Sequence, residues 1–288
     1  MINRLVAAII FLGCWTLVPA YAGGVMVSSG TSVDLTAHRR PYATVLKPGM
    51  QDFNVVSSAI VILHKLTPEG RWMSDENGRR KQFVHTMVFY SDNTWSIGTT
   101  NRVDSLGIGK YVLPPGYRPD QIVGAGSAGP YVYLWFSEGT TCRATFPRTS
   151  GRDKRTLGFA ESFEDKDWYF LDPTGTFHCG SGSGGKIYGY TPAHGKQAKD
   201  IVGVAIDGNF YQREFTVFAY YRDGTVSAGT SDDLDSKRAA TEVRLPGDKS
   251  PFDIIDVAID GVNHHVYAFY RDKPKRYDKF RIRPQVIK

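Results

Sequence analysis

The chain has 288 residues, 41% of them hydrophobic and 22% charged, with 30 glycines and 15 prolines and a formal charge of +6. It is too apolar for a disordered polypeptide and, at a mean hydropathy of −0.30, too polar for a protein of many membrane spans. Dense Gly/Pro punctuation without a long Ala/Glu/Lys/Leu stretch excludes a helical bundle and leaves room for two domains or one large all-β domain.

Residues 1–22 read as a cleaved signal peptide: a basic start ending at Arg4, an apolar run over 5–12, and the small-x-small site Ala20-Tyr21-Ala22. The mature chain, 23–288, is then secreted or periplasmic. Lipoprotein anchoring at Cys14 is the weaker alternative, because Leu12 sits next to Gly13 instead of three residues before the cysteine. No transmembrane segment is expected, since the apolar run falls short of the ~20 residues a spanning helix needs. Loss of the leader leaves Cys142 and Cys179, and two thiols in an oxidising compartment predict one disulfide, with two separately buried thiols as the alternative.

One segment then recurs along the mature chain: an aromatic strand, a polar turn, and a strand of small residues. Its clearest copies are VFAYYRDGT at 217–225 and VYAFYRDKP at 266–274, 49 residues apart. Weaker ones are TMVFYSDNT at 86–94, VYLWFSEGT at 132–140 and WYFLDPTGT at 168–176. Gly-Thr follows the turn at Gly98-Thr99 and Gly229-Thr230 and opens the mature chain at Gly30-Thr31; Pro-Gly turns stand at Pro48-Gly49, Pro115-Gly116 and Pro246-Gly247. Blade-sized periods of short strands between Gly, Pro and Asp turns predict a β-propeller. Five aromatic copies predict five blades, the first with an insertion around 69–81 and the third short; six short blades or an open all-β repeat array are the alternatives. The last aromatic strand lacks a full Gly-Thr partner, which the N-terminal strand is expected to supply, hiding two sheet edges.

This pattern, clearest over 200–272, resembles a repeat of secreted bacterial β-propeller proteins and, in architecture only, five-bladed lectins of the tachylectin type. The resemblance implies a binding module with lectin-like recognition of a glycan. A periplasmic protein-binding inhibitor or immunity protein is the alternative, and a glycoside-acting enzyme the second alternative.

No catalytic residue, metal site or cofactor is assigned. The run Gly180-Ser181-Gly182-Ser183-Gly184-Gly185-Lys186 lacks the Ser/Thr and the helix a phosphate loop requires. The carboxylates Glu161, Glu164, Asp165 and Asp167 read as a solvated loop more than as glycosidase acids. Tyr133, Trp135, Tyr220 and Phe269 read as packing between blades. The opposite set, Phe136, Tyr221 and Tyr270, lies beside the turn pairs Arg222-Asp223 and Arg271-Asp272, and these seven residues are the ligand-binding candidates. The basic segment 273–288, with seven Lys/Arg against two Asp, reads as a closing strand or as a contact to an anionic surface. Partners are thus expected to be a glycan or a protein outside the cytoplasm, with no nucleic acid.

Overall fold

The computed structural model describes residues 24–64, 73–78, 81–128, 131–144, 158–161, 168–171, 177–179, 186–208 and 215–272, all within one structural unit, Gly23–Lys275. Four times the chain makes the same turn into the same kind of strand. A single-turn 3-10 helix at Asp52–Asn54, Pro119–Gln121, Ala198–Asp200 and Pro251–Asp253 ends each time in a side chain that accepts a hydrogen bond from the backbone three residues earlier. The four bonds are Gln51 N to Asn54 Oδ1, 2.9 Å; Arg118 N to Gln121 Oε1, 2.7 Å; Gln197 N to Asp200 Oδ2, 3.0 Å; and Ser250 N to Asp253 Oδ2, 2.8 Å. Such local side-chain bonds favour a tight turn over continued strand or helix.

In chain order the strands are β1 (Val25–Gly30), β2 (Arg39–Thr44), β3 (Val55–His64), β4 (Gln82–Tyr90), β5 (Thr94–Thr99), β6 (Arg102–Lys110), β7 (Ile122–Ala128), β8 (Tyr131–Phe136) and β9 (Thr140–Arg143). There follow β10 (Gly158–Glu161), β11 (Trp168–Leu171), β12 (Phe177–Cys179), β13 (Ile187–Gly189), β14 (Ile201–Asp207), β15 (Thr216–Tyr221), β16 (Thr225–Gly229), β17 (Arg238–Glu242), β18 (Ile254–Asp260) and β19 (His265–Arg271). Blade 1 is β3 to β6, blade 2 is β7, β8, β9 and β13, and blade 3 is β14 to β17. Blade 4 joins the two ends of the described chain, in the order β18, β19, β1, β2. The innermost strands β3, β7, β14 and β18 each pack beside the next, and β18 returns to β3. The buried apolar side chains fall into four clusters, each drawing on two successive blades. Among the described residues the fold is therefore a β-propeller ring of four blades.

The expected fifth blade is the point of difference. Its aromatic strand, the copy at 168–176, supplies β11, the centre of a three-stranded meander with β10 and β12. This meander is inserted between β9 and β13 of blade 2 and pairs with the end of β3 through Phe159 and His64. An aromatic strand and a turn suffice for the sequence resemblance, but among the described residues this copy lies in a sheet continuous with blade 1 and forms no sheet of its own. The expected insertion around 69–81 falls between β3 and β4.

Closure by the N-terminal strand is present. Strand β1 lies antiparallel to β19, from Val25 opposite Arg271 to Gly30 opposite Val266, and β2 pairs with its other edge. Both edges of β19 are thus occupied, by β18 and β1, which leaves no room beside it for a strand from the basic segment. That segment, 273–288, and the expected leader, 1–22, lie outside the described residues.

At the axis each inner strand carries a bulge just after its start, between Val55 and Ser57, Ile122 and Gly124, Ile201 and Gly203, and Ile254 and Asp256. One buried carboxylate, Asp256, fills this crowded centre. Its Oδ2 accepts from Ser57 Oγ and from Ser58 N, both at 2.5 Å, and its Oδ1 accepts from Val257 N at 2.8 Å and Val204 N at 3.2 Å. Gly203 makes room for it: a Cβ there would lie 2.7 Å from Val257 N and 2.9 Å from Asp256 Oδ1. Asp256 thereby ties three of the four blades together.

Candidate functional site

Blades fan outward from the axis, so side chains between neighbouring sheets must grow in bulk toward the rim. The gap between blades 1 and 2 is filled this way by Phe89, Trp95, Tyr111 and Phe136. Between blades 2 and 3 the described residues leave the filling incomplete: the side of blade 2 supplies Ala128, Trp135, Tyr190 and Ala193 as buried apolar side chains, with Val123 and Tyr133 partly buried against them. Two adjoining clefts remain there. An inner one of about 470 Å³ is walled by Ala128, Trp135, Ile206, Phe215 and Val217, with Thr230 and Lys237 at its edge. The outer one, about 640 Å³, is lined by Thr141, Arg143, Lys186, Tyr188 and Asp232. Tyr133 and Ser231 belong to both.

Strand register explains why these groups converge. Tyr133 pairs with Arg143 and Trp135 with Thr141, while Thr141 pairs across to Tyr188. Directly opposed residues share a sheet face, so all five project toward blade 3. The facing wall is the turn after β16, held to blade 2 by Thr191 N to Asp232 O, 2.8 Å, and Leu234 N to Thr191 O, 3.0 Å. Within that turn Thr230 Oγ1 donates to Asp232 Oδ1 at 2.7 Å, and this bond holds the Asp232 carboxyl below its ordinary range. Lys237 Nζ donates to Phe215 O at 3.0 Å and Thr216 Oγ1 at 3.1 Å. Tyr188 is half exposed, with Lys186 Nζ 5.1 Å above its ring. An aromatic platform ringed by hydroxyl and charged groups suits a compact polar ligand with one apolar face.

The seven candidate residues do not form this site. Phe136, Tyr221 and Tyr270 are buried, because each sheet is covered on both faces by neighbouring blades and has no free aromatic side. The Tyr221 hydroxyl accepts from Ala193 N at 2.9 Å and bonds Ser227 Oγ, and that of Tyr270 accepts from Ser28 Oγ at 3.2 Å. Asp223 closes its own turn, accepting from Thr225 Oγ1 at 2.7 Å, and pairs with Lys196 instead of Arg222. Burial would raise its carboxyl, but hydrogen bonds from Lys196 and Thr225 outweigh this and hold it low. Arg222 and Arg271 are exposed, with Arg222 N donating to Asp200 O and Asp272 N to Gly24 O. Of the set read as packing, Trp135, Tyr220 and Phe269 are buried core and Tyr133 packs partly buried against it, while Trp135 and Tyr133 also line the clefts.

Cys142 carries a free thiol, buried at the boundary of blades 1 and 2, where burial pushes its pKa up to about 12. Cys179 lies on β12 in the inserted meander. In a chain without Cys14, the Cys142 thiol should stay inert to disulfide reagents in the folded protein and react after unfolding. Unfolded, unreduced protein without a reactive thiol would instead reveal the Cys142 to Cys179 crosslink.

Among the described residues no group of three His, Cys, Asp or Glu is placed to hold a metal ion, and no helix is long and apolar enough to cross a membrane. Glu161 ends β10; Glu164, Asp165, Asp167 and the Gly-rich run 180–185 lie outside the described residues.

No family model matches the chain, and no curated protein matches it either. Among solved structures it is similar to U3-55K, at 12% identity and a TM-score of 0.29 over 76% of this chain and 61% of that one. It is also similar to PorZ, a bacterial surface component of the type-IX secretion system of Porphyromonas gingivalis, at 14% identity and a TM-score of 0.26. That match covers 79% of this chain and 24% of PorZ. A third is the WD40 β-propeller domain of Doa1, at 12% identity and a TM-score of 0.25 over 83% and 69% of the two chains. The chain thus spans less than two thirds of U3-55K and about a quarter of PorZ. Scores this low carry no argument, and the propeller assignment rests on strand order and register.

Proposed function

We propose that the protein is a non-enzymatic binding module acting outside the cytoplasm, and that it holds a saccharide in the cleft between blades 2 and 3. The observation that carries this reading is the joint lining of the clefts: Tyr133 and Tyr188 with the Thr141 hydroxyl on the wall of blade 2, and Ser231 and Asp232 with hydroxyl and carboxylate groups on the facing wall. A sugar ring needs both, a flat apolar surface for its C–H face and hydrogen-bonding groups at its edge. Glycan-array screening of the mature chain should find at least one bound saccharide. Tyr188→Ala, a change at an exposed side chain, should weaken that binding about tenfold without altering the melting temperature.

A protein ligand is the second reading, favoured by Phe53 and Phe252. They occupy the same position of the 3-10 turn in the adjacent blades 1 and 4, and are 67% and 64% exposed. Paired exposed aromatics on a rigid face suit a partner's surface. A periplasmic pull-down that depends on both phenylalanines, with a blank array, would replace the saccharide reading by that of an inhibitor or immunity protein.

A further inference from the structure

We infer that the indole N–H of Trp135 is the ligand's hydrogen-bond anchor at the floor of the cleft, and that the ligand is an anionic sugar of the uronic acid type. This rests on the saccharide reading above. The other large aromatic side chains of the core with a polar atom and full burial each have a partner for it. Trp95 Nε1 donates to Lys110 O at 3.0 Å, Tyr90 bonds Ser96 Oγ at 2.8 Å, Tyr220 donates to Ser32 O at 3.2 Å, and Tyr221 and Tyr270 are bonded as described above. Trp135 alone departs from this pattern: its side chain is 0% exposed, it lines the inner cleft, and its Nε1 has no partner.

Packing does not demand that N–H. The same position in the aromatic strand of blades 1 and 4 is filled by Phe89 and Phe269, both buried. A phenylalanine would therefore seal blade 2 without leaving a buried donor unpaired, an arrangement native proteins rarely tolerate. An acceptor arriving with a ligand resolves the discrepancy, and a sugar hydroxyl or ring oxygen is such an acceptor.

The sign of the ligand's charge follows from the rim. Lys186 and Lys237 line the two clefts, against Asp232 as the one acid among the described lining residues. The two bonds of Lys237 go to neutral oxygens, Phe215 O and Thr216 Oγ1, so its charge is not cancelled by them. A carboxylated sugar seated with an oxygen on Trp135 places its anionic group within a basic rim.

The test uses the mature chain with D-glucuronate and D-glucose as probes, followed by ligand-observed NMR and calorimetry. Glucuronate should bind at least tenfold more tightly than glucose, weaken as salt is raised, and shift the indole ¹⁵N–¹H resonance that is missing in Trp135→Phe. Trp135→Phe should keep a single sharp thermal transition at a somewhat lower melting temperature, from the space the smaller ring leaves, and lose about tenfold in glucuronate affinity; Lys186→Ala should lose severalfold for glucuronate and nothing for glucose. Equal binding of the two sugars, or an unmoved Trp135 resonance on saturation, overturns this inference and leaves the saccharide reading in place. A protein that binds no member of a glycan array overturns both.

Discussion

Asp256→Asn should lower the melting temperature by roughly 6–12 °C, the equivalent of about 3 kcal/mol in a domain of this size. The amide cannot reproduce the pattern at the axis. Every protein group facing the carboxylate is a donor: Ser58 N and Ser57 Oγ on one oxygen, Val257 N and Val204 N on the other. Whichever way the asparagine is turned, its NH₂ meets a backbone N–H. Wild-type protein should also show a pH dependence that the variant lacks. Burial pushes the Asp256 pKa from the ordinary 3.8 up to about 7, against the pull of its hydrogen bonds. The folded state therefore holds this proton more tightly than the unfolded chain. The resulting contribution is complete below about pH 4, is lost as pH rises to about 7, and amounts to about 4 kcal/mol at most. Differential scanning calorimetry of both proteins between pH 4 and 8 measures it; a difference between them that does not change with pH would exclude the assignment.

Removal of residues 24–44 should abolish cooperative unfolding altogether. Strands β1 and β2 form half of blade 4, and β1 covers β19 from Val266 to Arg271. Without them Val25 and Val27 leave the cluster shared by blades 4 and 1, and Leu35 leaves the one shared by blades 3 and 4. A ring has no stable open form when each sheet depends on both neighbours for burial. The milder Val27→Asp, which puts an unpaired charge in the middle of β1, should cost about 3–5 kcal/mol. Near-native circular dichroism with a sharp thermal transition in the truncated chain would refute closure by these strands.

The propeller class was legible because its punctuation is physical. Gly30 and Gly229 recur before Thr because a Cβ at either would strike the carbonyl of Asp34 or Asp233 in the turn that follows, so the motif marks the same turn wherever it occurs. Counting aromatic strands gives five, whereas the described residues form four blades, with β11 in a meander joined to the sheet of blade 1. A count of inner strands among the described residues, each a Val or Ile directly after a turn closed by Asn54, Gln121, Asp200 or Asp253, yields four. The site was misplaced for a related reason. Alternation along a strand separates two faces, but it cannot say that both will be covered, and so Phe136, Tyr221 and Tyr270 looked available. Which gap between blades stays open depends on how much bulk blade 2 supplies, a sum over residues distant in sequence that no local pattern encodes.

Strand β1 also sets the order in which the molecule can be finished. It is the first element of the ring to be synthesised, yet its main partner, β19, is the last, some 240 residues later by position. Until β19 arrives, β1 presents an unpaired edge and apolar side chains such as Val25 and Val27 to whatever surrounds the growing chain. Ring closure therefore waits until β19 has been made, and it joins the oldest strand of the ring to the newest.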